Sequence, residues 1–155
     1  ARKRRLKGKR GRGTAADDKP PVLGMVARNG SVIIRMLPDV KRKTIQPIIQ
    51  KYVKEQSLIN TDEYNIYNWL SNNYLHKTVN HSKKEYARDE DNDGIFEIHV
   101  NTIEGFWSLL RSWLRPHRGL SQERLHYYLA FFEYLHNIRK RGHRAISALL
   151  YLLVA

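Results

Sequence analysis

Apolar residues fall into short alternating runs in the first half of this chain and into helical stripes in the second. Val22-Leu-Gly-Met-Val-Ala-Arg28 and Ser31-Val-Ile-Ile-Arg-Met-Leu37 are β-rich runs on either side of Asn29-Gly30. Asn-Gly tolerates the left-handed backbone of a tight turn, so the two runs read as a hairpin. Pro38-Asp39 closes the second strand. From Thr44 to Val53, Ile45, Ile48, Ile49 and Val53 recur on one helical face. Pro47 has no N–H to donate and is expected in or near the first turn of that helix. Leu58-Ile59 opens a short strand that ends at Asp62, and Tyr64 to Leu70 reads as a short aromatic helix. Leu75-His-Lys-Thr-Val-Asn-His81 alternates as a further strand, and residues 82–98 are polar and acidic, in the manner of a loop.

Helical periodicity returns at Asn101. Ile103, Phe106, Trp107, Leu110 and Leu114 form one stripe, and Pro116 marks the stop. Ser121 is placed to cap a longer helix with a stripe of Leu125, Tyr128, Leu129, Phe132 and Leu135, and Gly142 suits its end. A last apolar helix is expected from about Ala145. No internal repeat is visible. The order hairpin, helix, strand, helix, strand, helices predicts an α/β domain with mixed strand pairing.

Charge adds a partner to this picture. The chain of 155 residues carries a formal net charge of +13, and eight of its first twelve residues are Lys or Arg. Arg2, Lys3, Arg4, Arg5, Lys7, Lys9, Arg10 and Arg12, interleaved with Gly8 and Gly11, make an arm suited to phosphates, a nuclear-type address or plain solubility. Without the arm the remainder is only about +5. A polyanion, nucleic acid before an acidic membrane surface, is the expected partner. The arm passes into a polar linker that ends at Pro20-Pro21, so residues 1–21 stand apart from the domain. Beyond the Glu104 helix, Arg111, Arg115, His117 and Arg118 form a second basic group. Trp107 and Trp113 read as core, with base stacking by Trp113 the alternative.

Several chemistries are excluded or unsupported. The chain has no cysteine, hence no disulfide, thiol catalysis or Cys-ligated zinc. No His-x-x-x-His pair sits on a helix, and no phosphate-binding Gly-x-x-x-x-Gly-Lys loop or Gly-x-Ser-x-Gly elbow occurs. The longest apolar run, Ala148–Ala155, is too short to span a bilayer. Asp89-Glu-Asp-Asn-Asp-Gly94 begins like a calcium loop, but its twelfth position is Val100 where a bidentate Glu belongs. It reads as a solvated acidic loop.

Two carboxylates remain as candidates. Two-metal phosphoryl transfer needs carboxylates that hold divalent cations about 3.5–4 Å apart, and a rigid strand end places such ligands well. Asp62 occupies a strand end. It equally suits a turn or a helix cap, and spacing alone favours that structural role. Glu104 lies one turn into a helix. Asn101-x-x-Glu104 satisfies the capping-box pattern, which explains both residues without chemistry. A Glu in a first turn can also face a site.

Lys9-Arg-Gly-Arg-Gly13, Val22-Leu-Gly-Met-Val26, Thr61-Asp-Glu-Tyr64, Thr78-Val-Asn-His-Ser82 and Asn101-Thr-Ile-Glu-Gly-Phe-Trp-Ser-Leu-Leu110 occur in this order across about residues 7–141. Together they resemble the DDE transposases of bacterial insertion sequences, in the ISXO-like group related to eukaryotic Merlin elements. The resemblance implies a ribonuclease-H-like α/β fold, a mixed sheet with flanking helices, over a catalytic domain of residues 22–141, with residues 142–155 as a C-terminal helix. It implies that Asp62 is the second acidic residue of the catalytic set and that the third is Asn101 or Glu104. Glu104 is preferred, because a carboxylate holds Mg²⁺ or Mn²⁺ better than a neutral amide. A Lys common in this helix is matched by Arg111, which keeps the charge but changes the phosphate geometry.

The same resemblance implies a cytoplasmic, nucleoid-associated enzyme that nicks and joins double-stranded DNA at element ends and target. It implies a homo-oligomer on that DNA and no membrane. One departure matters. The family's first catalytic Asp ends a strand just ahead of the Lys/Arg-Gly-rich segment, a place that here lies upstream of Ala1. Asp17 and Asp18 lie beyond that segment and do not substitute. The expectation is therefore a fragment without its first, central strand and with little strand transfer of its own. The alternative is a non-catalytic DNA-binding remnant, whose binding would be salt-sensitive and indifferent to Mg²⁺.

Overall fold

The computed structural model describes residues 20–28, 30–117, 120–139, 142, 147 and 150–151. The basic arm (Arg2 to Arg12), Arg118 and most of the helix expected from Ala145 lie outside the described residues; Ser147, Leu150 and Tyr151 are helical. The architecture is mixed α/β, and the chain divides into two compact units. Among the described residues, one comprises those within 20–39 and 107–151, the other Val40–Phe106.

In the first unit the expected hairpin forms. β1 (Val22–Val26) pairs antiparallel with β2 (Val32–Met36), with Val26 opposite Val32 and Val22 opposite Met36. The turn is closed by Ala27 N–H donating to Ser31 O at 3.0 Å and Gly30 N–H donating to Ala27 O at 2.9 Å. A Cβ on Gly30 would stand 2.5 Å from the Ala27 Cβ, so this position requires glycine for close approach.

Alternate residues of an antiparallel strand turn their backbone groups away from the partner strand. On β2 these are Val32 and Ile34, and both are met by α3 (Gln122–Arg139). Val32 N–H donates to Asn137 Oδ1 at 2.7 Å, and Asn137 Nδ2 donates back to Val32 O at 2.9 Å. Ile34 N–H donates to Glu133 Oε2 at 2.6 Å, and Arg35 Nη1 donates to the same oxygen at 2.7 Å. A helix thus covers a sheet edge that would otherwise be open to a foreign strand. The apolar stripe of α3 is as expected, with Leu129 buried and Leu125, Tyr128, Phe132 and Leu135 half-buried. Its other side exposes Tyr127, Phe131 and Tyr134. The Trp113 ring packs among Phe132 at 5.3 Å, Tyr128 at 6.0 Å, Phe131 at 6.2 Å and His117 at 4.9 Å between centroids. Trp113 is half-buried in this aromatic packing.

In the second unit, α1 (Arg42–Tyr52) buries Ile45 and Ile49. It begins two residues earlier than the apolar pattern suggests. Pro47 therefore falls inside the helix rather than in its first turn, at an exposed position where its missing donor is tolerated. β3 (Leu58–Asp62) and β4 (Leu75–Val79) pair in parallel, Leu58 with Leu75 and Asp62 with Val79. Parallel strands need a long crossover. Residues 63–74 provide it through a 3-10 helix, Asn65–Asn72, which buries Trp69 and Leu70. Arg42 lies over the Trp69 ring at 5.7 Å.

The segment expected to be a plain loop holds more structure. A 3-10 turn spans His81–Lys83, and β5 (Ala87–Arg88) pairs antiparallel with β6 (Ile98–His99). The anchor is apolar: Ile98 is buried with Val79 and Val100, and Ile103 packs on the three. α2 (Asn101–Leu114) begins in this unit and runs into the other.

Among the described residues the strands form three two-stranded ladders, in place of one continuous mixed sheet. No strand pairs with the outer edge of β3 there. No described helix is long and apolar enough to cross a membrane.

Candidate functional site

The carboxyl end of the parallel pair β3–β4 gathers the chemistry, as the ends of parallel strands commonly do. Asp62 is the last residue of β3 and half-buried. Its Oδ1 accepts the Tyr64 N–H at 3.2 Å, a short turn contact. Across from it, β4 ends at Val79 and continues through Asn80, His81 and Ser82. Asn80 caps the 3-10 turn by accepting the Lys83 N–H at 3.0 Å.

Glu63 turns toward that segment. It accepts the Ser82 hydroxyl at 2.7 Å, the Ser82 N–H at 3.3 Å and the His81 N–H at 3.1 Å. The Ser82 hydroxyl, with backbone N–H groups behind it, pulls the Glu63 carboxyl down to about 2. Glu63 thus clamps the end of β4 to the end of β3.

Glu104 reaches the same place from α2. Ile103 and Glu104 both donate their N–H to Val100 O at 3.1 Å, so Val100 stands at the N-cap and Asn101 opens the helix. The capping box expected from Asn101-x-x-Glu104 is therefore out of register by one residue. Glu104 faces His81 instead, its Oε1 3.7 Å from Nδ1. A carboxylate in this first turn is favoured by the helix dipole. Asn101 is exposed. Glu63, the neighbour of Asp62 at the end of β3, and Glu104 on α2 thus contact the same residue, His81, within one unit. His81 stands out in the sequence only as part of the Thr78–Ser82 stretch. Nothing in its local pattern signals its contact with a residue so far along the chain.

Among the described residues no Lys or Arg pairs with Asp62 or Glu104. Both are oxygen donors of the kind a divalent cation takes, Asp62 half-buried and Glu104 exposed with His81 beside it. They do not form a closed cage. The group of three ligand atoms found within 4.8 Å of one another among the described residues is Asp89, Asp91 and Glu97, elsewhere in this unit. Asp89 there accepts the Asn92 N–H at 2.7 Å and the Gly94 N–H at 2.8 Å, so backbone donors already hold it in the acidic loop.

Below Asp62, Thr61 Oγ1 donates to Asp62 O at 2.9 Å and lies 2.8 Å from His76 Nε2. Burial pushes the His76 imidazole below its ordinary value. Of the basic group, Arg111 in the last turn of α2 and Arg115 just beyond its end are exposed, and no carboxylate pairs with either among the described residues.

The model of the ISXO2-like transposase domain matches residues 1–137 of this chain. An uncharacterized protein in transposable element ISH50 of Halobacterium salinarum is 33% identical over 146 residues, covering 91% of this chain and 47% of that protein. An uncharacterized transposase-like protein of Haemophilus influenzae is 28% identical over 103 residues, covering 66% of this chain and 77% of that protein. The chain therefore spans about half the length of the first of these relatives. No solved structure matches it.

Proposed function

Because the chain belongs to the ISXO2-like transposase domain family, we propose that it is the core of a DDE-type transposase acting on double-stranded DNA. Its catalytic region has the ribonuclease-H-like plan, and Asp62 and Glu104 are two of the carboxylates that hold Mg²⁺ or Mn²⁺. The observation that supports this reading is a shared neighbour: Glu63, next to Asp62 at the end of β3, and Glu104 both face His81.

The roles follow from the donor set. A bound divalent cation supplies polarisation of the phosphodiester and of the attacking oxygen in an in-line displacement. Asp62, fixed by its ladder position opposite Val79, holds its carboxylate against a rigid support. Glu104 brings the second carboxylate from the helix, and Asn101, exposed one turn earlier, is available to the DNA backbone. Arg111 at the end of α2 and Arg115 just after it neutralise phosphates, together with Arg118 and the Arg2–Arg12 arm. The assembly on DNA is a homo-oligomer holding two element ends.

The test is Mn²⁺ binding by the chain, followed by titration calorimetry, with Asp62→Asn and Glu104→Gln as variants. Each is expected to weaken binding at least tenfold with the circular dichroism spectrum unchanged, and to abolish Mg²⁺-dependent nicking wherever the native protein nicks. Unaltered Mn²⁺ binding in both variants would reject the metal assignment. DNA binding indifferent to Mg²⁺, Asp62 and Glu104 would leave a DNA-binding remnant in its place.

A further inference from the structure

His81 takes no part in the chemistry above, yet it sits where the two ends of the site meet. Its main chain and its side chain face different carboxylates. The backbone N–H is held by Glu63 Oε2 at 3.1 Å, and the next residue, Ser82, gives Glu63 two more donors. The ring Nδ1 stands 3.7 Å from Glu104 Oε1. The Tyr86 ring backs the imidazole at 5.4 Å between centroids. Nε2 is buried and has no partner among the described residues, so the ring's outward polar contact is the one to Glu104. Glu104 itself is more than half exposed and, among the described residues, has no other hydrogen bond or ion pair to set its rotamer. A freely rotating glutamate makes a poor ligand, because ordering it costs rotamer entropy at the moment of binding.

We propose that His81 is a positioning residue, which orients the Glu104 carboxylate for a divalent cation from a place fixed by the Glu63 clamp. The inference rests on the metal reading of Asp62 and Glu104. At 3.7 Å the contact is an ion-pair separation longer than a hydrogen bond, so the 10–100-fold in metal affinity that hydrogen-bonded partners of a ligand are commonly worth is an upper bound for His81. The geometry also specifies which nitrogen matters. Asparagine places its amide nitrogen close to where histidine has Nδ1, whereas glutamine places its own close to Nε2.

The experiment is Mn²⁺ titration of the full chain by calorimetry, with thermal unfolding recorded beside it. His81→Ala is expected to weaken Mn²⁺ binding about tenfold. His81→Asn is expected to restore affinity to within about threefold, and His81→Gln to remain as weak as alanine. Glu63→Gln, which leaves Ser82 and His81 with a single acceptor oxygen, should weaken binding in the same direction. If His81→Ala does not fold, the asparagine–glutamine contrast decides alone. Equal affinity for those two, or native affinity in a folded His81→Ala, overturns the inference. If Glu104→Gln weakens Mn²⁺ binding while every His81 variant binds like the native chain, only the role of His81 falls. If the native chain binds no Mn²⁺, or Glu104→Gln leaves binding unchanged, the metal reading falls and this inference with it.

Discussion

Asn137→Ala tests whether side chains of α3 complete the edge of β2. Val32 is fully buried, and Asn137 satisfies both of its outward backbone groups, at 2.7 Å for the N–H and 2.9 Å for the carbonyl. Truncation to alanine removes both bonds, and water entering the vacated space replaces them only in part. A buried donor left unpaired costs about 1–3 kcal/mol, and the net loss of an ordinary hydrogen bond about 0.5–1.5 kcal/mol. The carbonyl suffers less than the N–H, since an under-satisfied oxygen is more readily tolerated. The sum is about 2–3 kcal/mol, or about 30- to 150-fold in the equilibrium for opening. Native-state amide hydrogen exchange reads this directly. The Val32 amide should exchange faster by that factor, and the Ile34 amide, held separately by Glu133, should change less. Asn137→Asp keeps an acceptor for the Val32 N–H but turns a second oxygen toward the Val32 carbonyl, so it should not restore protection. Val32 exchange within threefold of native in the alanine variant would refute the reasoning.

Three further outcomes are expected. Gly30→Ala drives a Cβ to 2.5 Å from Ala27 Cβ and should lower stability by about 1–3 kcal/mol in thermal unfolding; an unchanged midpoint would show that the turn can give way. The His76 imidazole is lowered by burial from 6.5, so the unfolded chain binds the proton more readily. Its contribution is fully present above about pH 6.5 and is lost as pH falls through the lowered folded value, so the unfolding midpoint should fall on acidification from pH 7.5. In His76→Gln, whose amide can hydrogen-bond to Thr61, that slope should flatten, and a slope equal to native would contradict it. Replacing Arg111 and Arg115 together by glutamine should reduce the salt dependence of duplex DNA binding by about one unit of log–log slope for each phosphate no longer neutralised; an unchanged slope would remove both from the interface.

How much could be read from the sequence differs by the kind of interaction. β1, β2 and β3 were legible because alternation and turn residues are local: Leu23, Val32 and Ile34 are buried at the alternating positions, and Asp62 ends β3 as expected. The start of α1 was not, because Lys41 stands at its N-cap without a side-chain bond and the first turn lacks an acidic residue. The only visible signal was the apolar stripe, which begins a turn later. The short β5–β6 ladder has no legible pattern because each strand has two residues and is held by Ile98 in a cluster whose other members come from β4 and the start of α2.

The site shows the same division. Asn101-x-x-Glu104 is compatible with a cap or with a ligand, and no periodicity separates the two. Register decides: the helix opens at Asn101 under Val100, which moves Glu104 one position past the reach of a capping box and leaves it facing His81. That register depends on where Val100 is buried, and Val100 is buried against Val79 at the end of β4. The apolar cluster at the start of α2 therefore also sets which side chain faces His81. A cavity there should be felt in Glu104 before it is felt in Asp62, which has its own ladder. Val79→Ala makes the distinction measurable. Deleting two methyl groups from a fully buried site costs about 2–3 kcal/mol, and if the variant stays folded its Mn²⁺ affinity should fall while β3–β4 amide protection at Ile59 and Thr61 persists. Loss of that protection together with the affinity would mean that the cluster supports the strand pair itself, and that α2 has no separate anchor.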